Sequence, residues 1–316
     1  MKNKMIIGLI GAFAVSIGLS QPALANSAVT YAGSGQQASG AARAEGETRG
    51  TRMTRQERGR SRAPSPEQVR AAAQTHLTAA GVTCSLTEAV NPGRIGTTDV
   101  YEVACDSAPG YILMASTPPQ AFDCIELAGT AATARAADPA ADVGMQCMLP
   151  ANQNGLQVIS AWAQQAGAAC TIDQAQAVGK RGSDTVYEIG CANADGYWMQ
   201  KVDGAFALTP CIKVTSQGST CRFTTPEEIA TSFQTKLAGT EAESCQVAQV
   251  RLMGGNENGE FYEAKCAAEG EGFIARLNAE GVTQQVYACA SSAARVIGSG
   301  CTLTQVPAAP ATGGRP

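Results

Sequence analysis

Twelve cysteines constrain this chain more than any other feature, because they fall into three matching sets of four. Cys84 and Cys105, Cys170 and Cys191, and Cys245 and Cys266 each stand 21 residues apart. A later pair completes each set: Cys124 and Cys147, Cys211 and Cys221, Cys289 and Cys301. The second cysteine of every set ends a similar phrase: Asp99-Val-Tyr-Glu-Val-Ala-Cys105, Thr185-Val-Tyr-Glu-Ile-Gly-Cys191 and Glu260-Phe-Tyr-Glu-Ala-Lys-Cys266. The pattern predicts three tandem repeats over 66–149, 150–223 and 224–304.

The opening residues place those cysteines in an oxidising compartment. Lys2 and Lys4, the apolar stretch Met5–Gly18 and the small residues Ala23-Leu-Ala25 read as a signal peptide over 1–25. Export lets disulfides persist, and an even cysteine count fits full pairing. Zinc is disfavoured, since no two cysteines stand at C-x-x-C spacing and His76 is the only histidine. The expected location is periplasmic or secreted, and no metal or cofactor is expected.

Charge is divided along the chain. Residues 43–62 hold seven arginines against three glutamates, while the whole chain carries a net charge of −4. A basic arm therefore precedes an acidic body. The segment 26–65 is nearly free of large apolar residues and reads as a disordered Arg-rich arm, and 305–316 as a disordered tail. Arg49, Arg52, Arg55, Arg58, Arg60 and Arg62 suit either a flexible spacer or contact with an anionic envelope surface. The arm lacks interleaved aromatics, which argues against nucleic acid.

Each repeat opens on a helix signal. Ser65, Pro66 and Gln68 make a capping-box start, followed by Val69, Ala73, Leu77 and Ala80 at helical spacing and Gly81 as a stop. Thr225, Pro226 and Glu228 repeat the start before Ile229, Phe233 and Leu237. The middle helix begins near Asn154 and carries Trp162. Two strands follow. Placing Cys84 opposite Cys105 also places Leu86 opposite Val103 and Glu88 opposite Tyr101. The alternation then assigns cysteines and tyrosine to a core face, and Glu102, Glu188 and Glu263 to a solvated one. The loop Gly254–Gly259 reads as the hairpin turn of the third repeat rather than a cation site. A third strand, starting at Gly110, Gly196 or Gly272, is apolar on both faces and should be central or packed on a neighbour. Turns near Asp203-Gly204 and Glu280-Gly281 lead to a fourth. The fold class is α+β: three repeats, each one helix packed on a small antiparallel sheet of about four strands, with two disulfides per repeat. The hairpin joins first cysteine to second, and proximity joins third to fourth, although the sequence alone permits other pairings.

Tyr101-Glu102-Val103, Tyr187-Glu188-Ile189, Gly196 and Asp203-Gly204 give the unit a resemblance to PepSY-type modules. That resemblance implies an exported binding or peptidase-regulating module without catalytic residues of its own. A second resemblance is to the tandem-repeat β-lactamase-inhibitor fold.

Catalytic constellations are hard to build from these residues. A lone histidine mid-helix supports no triad, and His76 reads as a helix-surface or partly buried residue. The repeated glutamates fall in separate modules. Tyr111, Tyr197 and Phe273 share one strand position, and Trp198 adjoins Tyr197, so these four are candidates for a binding strip or an inter-repeat seam. The functional expectation is an exported, non-catalytic protein that binds another protein, as an inhibitor or envelope-associated regulator. The alternatives are an exported enzyme using strand carboxylates, or a purely structural envelope protein.

Overall fold

A computed structural model describes residues 63–305 of the chain. The signal over 1–25, nearly all of the arm over 26–65 including its arginines, and the tail from 306 lie outside the described residues.

The described chain is α+β, with three four-stranded antiparallel sheets and helices between them. Helix α1 (Pro66–Ala79) precedes β1 (Leu86–Ile95), β2 (Thr98–Cys105), β3 (Ala108–Met114) and β4 (Gln120–Asp123), and α2 (Cys124–Ala137) follows. Helix α3 (Gly155–Gln165) precedes β5 (Ile172–Arg181), β6 (Asp184–Cys191), β7 (Ala194–Val202) and β8 (Ala205–Pro210), and the short α4 (Cys211–Ser216) follows. Helix α5 (Pro226–Gln234) precedes β9 (Val247–Asn256), β10 (Gly259–Cys266), β11 (Gly272–Leu277) and β12 (Thr283–Ala288). Each sheet is a simple meander, so the second and third strands are central. Cover on both sides explains the two apolar faces of β3 and β11, which bury Leu113 and Ala275 under their helices and Ile112 and Ile274 on the other face.

Local chemistry starts the helices. The Ser65 hydroxyl accepts from the Gln68 amide while the Gln68 side chain accepts from the Ser65 amide, and Thr225 and Glu228 repeat the exchange. Asn154 makes no such bond, and α3 relies on packing instead, burying Ile159 and Ala163. Gly81 and Gly167 follow their helices at φ +72° and +95°, where a side chain would be strained.

Three separate cores result. Val69, Ala73 and Leu77 of α1 pack on Tyr101, Val103 and Leu113. Ile159 and Ala163 of α3 pack on Tyr187, Ile189 and Met199. Ile229 and Phe233 of α5 pack on Tyr262, Ala264 and Ala275. The tyrosine of each repeated phrase thus lies under its helix.

The hairpin register differs from the expected one. Leu86, not Cys84, lies opposite Cys105, and Ala89 lies opposite Val103. The second hairpin sets Ile172 opposite Cys191 and Ala177 opposite Tyr187. Irregularities between Leu86 and Glu88 and between Val90 and Gly93 shift the ladder twice. The first cysteine of each set therefore sits just ahead of its strand. The bond still closes, because Cα atoms 5.2–5.7 Å apart fit disulfide reach. The six bonds are Cys84–Cys105, Cys124–Cys147, Cys170–Cys191, Cys211–Cys221, Cys245–Cys266 and Cys289–Cys301, two beside each sheet.

Helices α2 and α4 were not expected from the sequence, and they join the sheets. Ile125 of α2 belongs to the core of the second sheet, and Ile212 of α4 to the core of the third. Gly129 allows the first contact, since a Cβ there would stand 2.2 Å from the Ala177 carbonyl oxygen. Lys213 of α4 reaches Glu260 of β10 at 2.6 Å.

A half-buried carboxylate caps each joining helix. Asp123 accepts from the amides of Ile125 and Glu126 at 2.7 and 3.2 Å. The matching position before α4 is Pro210, which has no acceptor. There Asp195 reaches across from β7 and accepts from the Ile212 amide at 3.4 Å. The Asp195 amide in turn donates to Ser232 of α5 at 2.6 Å. Burial pushes the Asp195 carboxyl up to about 7, against two backbone donors that oppose the shift. Burial also raises Asp123 to about 6, with Glu126 adding to the rise.

A raised carboxyl pKa means that the folded chain holds a proton the unfolded chain has lost. The destabilisation due to Asp195 is therefore absent at and below the unfolded carboxyl pKa and grows as pH rises toward 7. Asp195→Asn, neutral at every pH, should stabilise the protein at pH 8 by about 2 kcal/mol and have little effect at pH 4.5. Melting curves at both pH values measure it, and an equal change at both would sink the account.

Candidate functional site

The repeated glutamates do not face solvent. Glu102, Glu188 and Glu263 are 3%, 1% and 0% exposed, which overturns their expected outer-face position. The cause is the segment around or just after the fourth cysteine of each set, which turns back over that face and presents its amides. Met148 and Leu149 donate to Glu102 Oε1 at 2.8 and 2.7 Å, and Asn152 Nδ2 joins at 2.9 Å. Arg222 and Phe223 donate their amides to Glu188 Oε1. Leu303 and Thr304 donate to Glu263 Oε1, while Thr302 and Arg251 donate to Oε2. Burying a carboxylate is costly unless such bonds offset it. These three act as clamps on their own chain, in three different sheets.

The register shows where the clamps differ. Glu102 is paired with Ile112, Glu188 with Trp198 and Glu263 with Ile274. On the other side stand Val90, Gln176 and Arg251. Arg251 completes Glu263 with an ion pair at 2.8 Å. Gln176 instead donates to the Gly129 carbonyl of α2. Glu188 Oε2 is thus buried with no hydrogen-bond partner among the described residues, and so is the Trp198 Nε1.

Both residues line a cavity of about 380 Å³ on the face of the second sheet away from α3. Its other walls include Val178, Val186 and Ser219, with Arg181 and Arg222 among its lining residues. A smaller neighbouring cavity of about 110 Å³ shares Trp198 and Arg181 and adds Gln200, Thr209 and Gln217. The first and third sheets bury Ile112 and Ile274 at the matching position, 4% and 0% exposed. In the second, only 10 residues separate Cys211 from Cys221, against 23 and 12 for the corresponding bonds. The short connection is mostly α4, and Trp198 packs against that disulfide.

The four aromatic residues singled out from sequence are not gathered into one strip. Tyr111 packs against the first core, Tyr197 against the second and Phe273 against the third, each on its helix-covered side. Trp198 lies on the opposite face of its sheet, beside the cavity. His76 stacks on Tyr101 with ring centroids 5.5 Å apart, the place in the first core that Trp162 takes over Tyr187 in the second. Arg49, Arg52, Arg55, Arg58, Arg60 and Arg62 lie outside the described residues. The Gly254–Gly259 stretch ends β9 and turns at Glu257-Asn258.

Sequence reasoning missed the Glu188 site, although a signal was present. Val100 and Ala104 share the strand face of Glu102, and an apolar residue on each side of a lone charge marks a buried face.

Two clusters bring a glutamate near two sulfurs, Glu102 with Cys124 and Cys147, and Glu263 with Cys289 and Cys301, all within 4.8 Å. Those sulfurs are joined in disulfides, so neither cluster offers a thiolate ligand. The arrangement at the middle sheet instead offers a polar-walled cavity with an indole and two guanidinium groups. No protein-family model, curated protein or solved structure matches this chain.

Proposed function

We propose that this is an exported, non-catalytic recognition protein, built from three tandem copies of one PepSY-like α+β unit, and that its middle copy binds another protein. The cavity on the far face of the second sheet is the observation that carries this reading. All three sheets carry a returning segment on this face; the first and third bury Ile112 and Ile274 there, while the middle one has a cavity beside Trp198. Aromatic and arginine side chains are the residues most enriched where proteins bind one another. The clamping glutamates speak against the carboxylate-enzyme alternative, because each commits one oxygen to backbone amides of its own chain and the three lie in three different sheets. Six disulfides fit the oxidising periplasmic or extracellular setting that this reading requires.

Site-specific photo-crosslinking in the native envelope tests the proposal. A crosslinker at Thr220, on the cavity wall, should yield a discrete protein adduct. The same group at Glu67, exposed on α1, should not. Matching adducts at both positions, or none at either, would overturn it.

A further inference from the structure

The geometry points to a peptide segment bearing a carboxylate side chain as the ligand of the Glu188–Trp198 cavity. This rests on the binding reading above and names the chemistry of the partner.

Two unmet hydrogen bonds define the ligand first. Glu188 Oε2 lacks a donor, and Trp198 Nε1 lacks an acceptor, among the described residues. A carboxylate oxygen takes an N–H, and an indole nitrogen gives one. The peptide group supplies both complements within one short stretch of backbone, an N–H and a C=O. A free anion supplies only acceptors, and a simple amine only donors.

The same chain supplies the precedent. In the third sheet, the carboxylate at the matching register has both oxygens filled, and three of the donors are consecutive backbone amides of Thr302, Leu303 and Thr304. A peptide strand laid over this face is therefore how the fold itself satisfies the glutamate. In the second sheet, the chain supplies only Arg222 and Phe223, both to Oε1. A partner's peptide supplies the remainder.

Charge selects the side chain. Arg181 and Arg222 line the cavity and form no ion pair among the described residues, although Arg222 also donates to Thr133. Lys180 is already paired with Glu126 at 2.9 Å. The one carboxylate lining the cavity is Glu188, which is 1% exposed. The mouth is thus cationic, and an aspartate or glutamate beside the docked peptide group meets two guanidinium forks. Val178, Val186 and the indole give the neighbouring residue an apolar floor.

The two tryptophans make the test direct. Trp162→Phe, in the oxidised full-length protein, leaves Trp198 as the only indole. Its emission is followed during titration with pooled blocked tripeptides of the form acetyl-Xaa-Glu-Xaa-amide, with matching Gln peptides, and with glutarate and glucuronate. The Glu peptides should give a saturable change. The Gln peptides, both free acids, and the Arg181→Gln/Arg222→Gln variant should each bind at least tenfold more weakly. No saturable change, or equal binding of Gln peptides, would overturn the inference. Equal binding of glutarate would assign a small-anion site, and stronger binding of glucuronate a saccharide site, and either also overturns it. The crosslinking at Thr220 separates the two levels. An adduct that survives Arg181→Gln/Arg222→Gln leaves protein binding standing while removing the cavity as its cause. A wild-type chain without an adduct removes the binding reading, whatever the peptides do.

Discussion

Glu263→Ala should lower the melting temperature of the oxidised protein by about 10 °C, the largest effect expected of any single substitution here. The side chain is fully buried and accepts from three backbone amides, the Thr302 hydroxyl and the Arg251 guanidinium. Alanine leaves Arg251 without its carboxylate and three amides without an acceptor. Removing one partner of a buried charge pair costs about 3–5 kcal/mol. In a domain of 150–250 residues each kcal/mol moves the midpoint by about 2–4 °C. Glu263→Gln should fall between, since an amide keeps the shape but trades one acceptor for a donor. Glu88→Ala, on the exposed edge of β1, should change stability by no more than about 0.5 kcal/mol. Near-UV circular dichroism on heating measures all three. A Glu263→Ala midpoint within 2 °C of wild type would refute the clamp.

Reduction should unfold the described chain altogether at 25 °C. In the chain-entropy model each hairpin bond, at a separation of 21, and Cys124–Cys147, at 23, contribute about 3 kcal/mol, and the two shorter bonds somewhat less. Six such contributions exceed the total stability of about 5–15 kcal/mol that folded domains possess. The cores are too small to compensate, because each consists of one helix, half of a four-stranded sheet and, in two cases, a helix lent by the preceding unit. Dithiothreitol at pH 8 should therefore abolish the near-UV signal and shift tryptophan emission to the red. Retention of native spectra with all twelve thiols titratable would contradict the prediction.

What the sequence made legible was what it encodes locally. The capping boxes of Ser65 and Thr225 name their helices within four residues. The apolar third strands announce a central position, and the repeated cysteines announce two bonds per sheet. The strand register escaped because each of β1, β5 and β9 is shifted twice; a glycine marks one shift in each, Gly93, Gly179 and Gly254, and nothing comparable marks the other. The clamps escaped for another reason. Glu102 and Leu149 lie 47 residues apart, and alternation along a strand cannot reveal a segment that returns from that distance. Helix α2 carried weak signs, Asp123 followed three residues on by Glu126 and then an alanine-rich run, but Gly129 interrupts them. Helix α4 has only six residues and takes its cap from Asp195 on another strand, so sequence offered nothing to find.

The helix that each of the first two sheets passes forward has a practical consequence for cutting the chain. The cysteine sets place a boundary near residue 150, yet Ile125 belongs to the core of the second sheet. A fragment beginning at 150 would carry every strand of that sheet and lack part of its cover, exposing Ala177 and the flank of Ile159. The smallest excised piece with a whole middle core begins at Asp123 and carries Cys147 with it. The units of covalent repetition and the packed cores are thus offset along this chain by one helix.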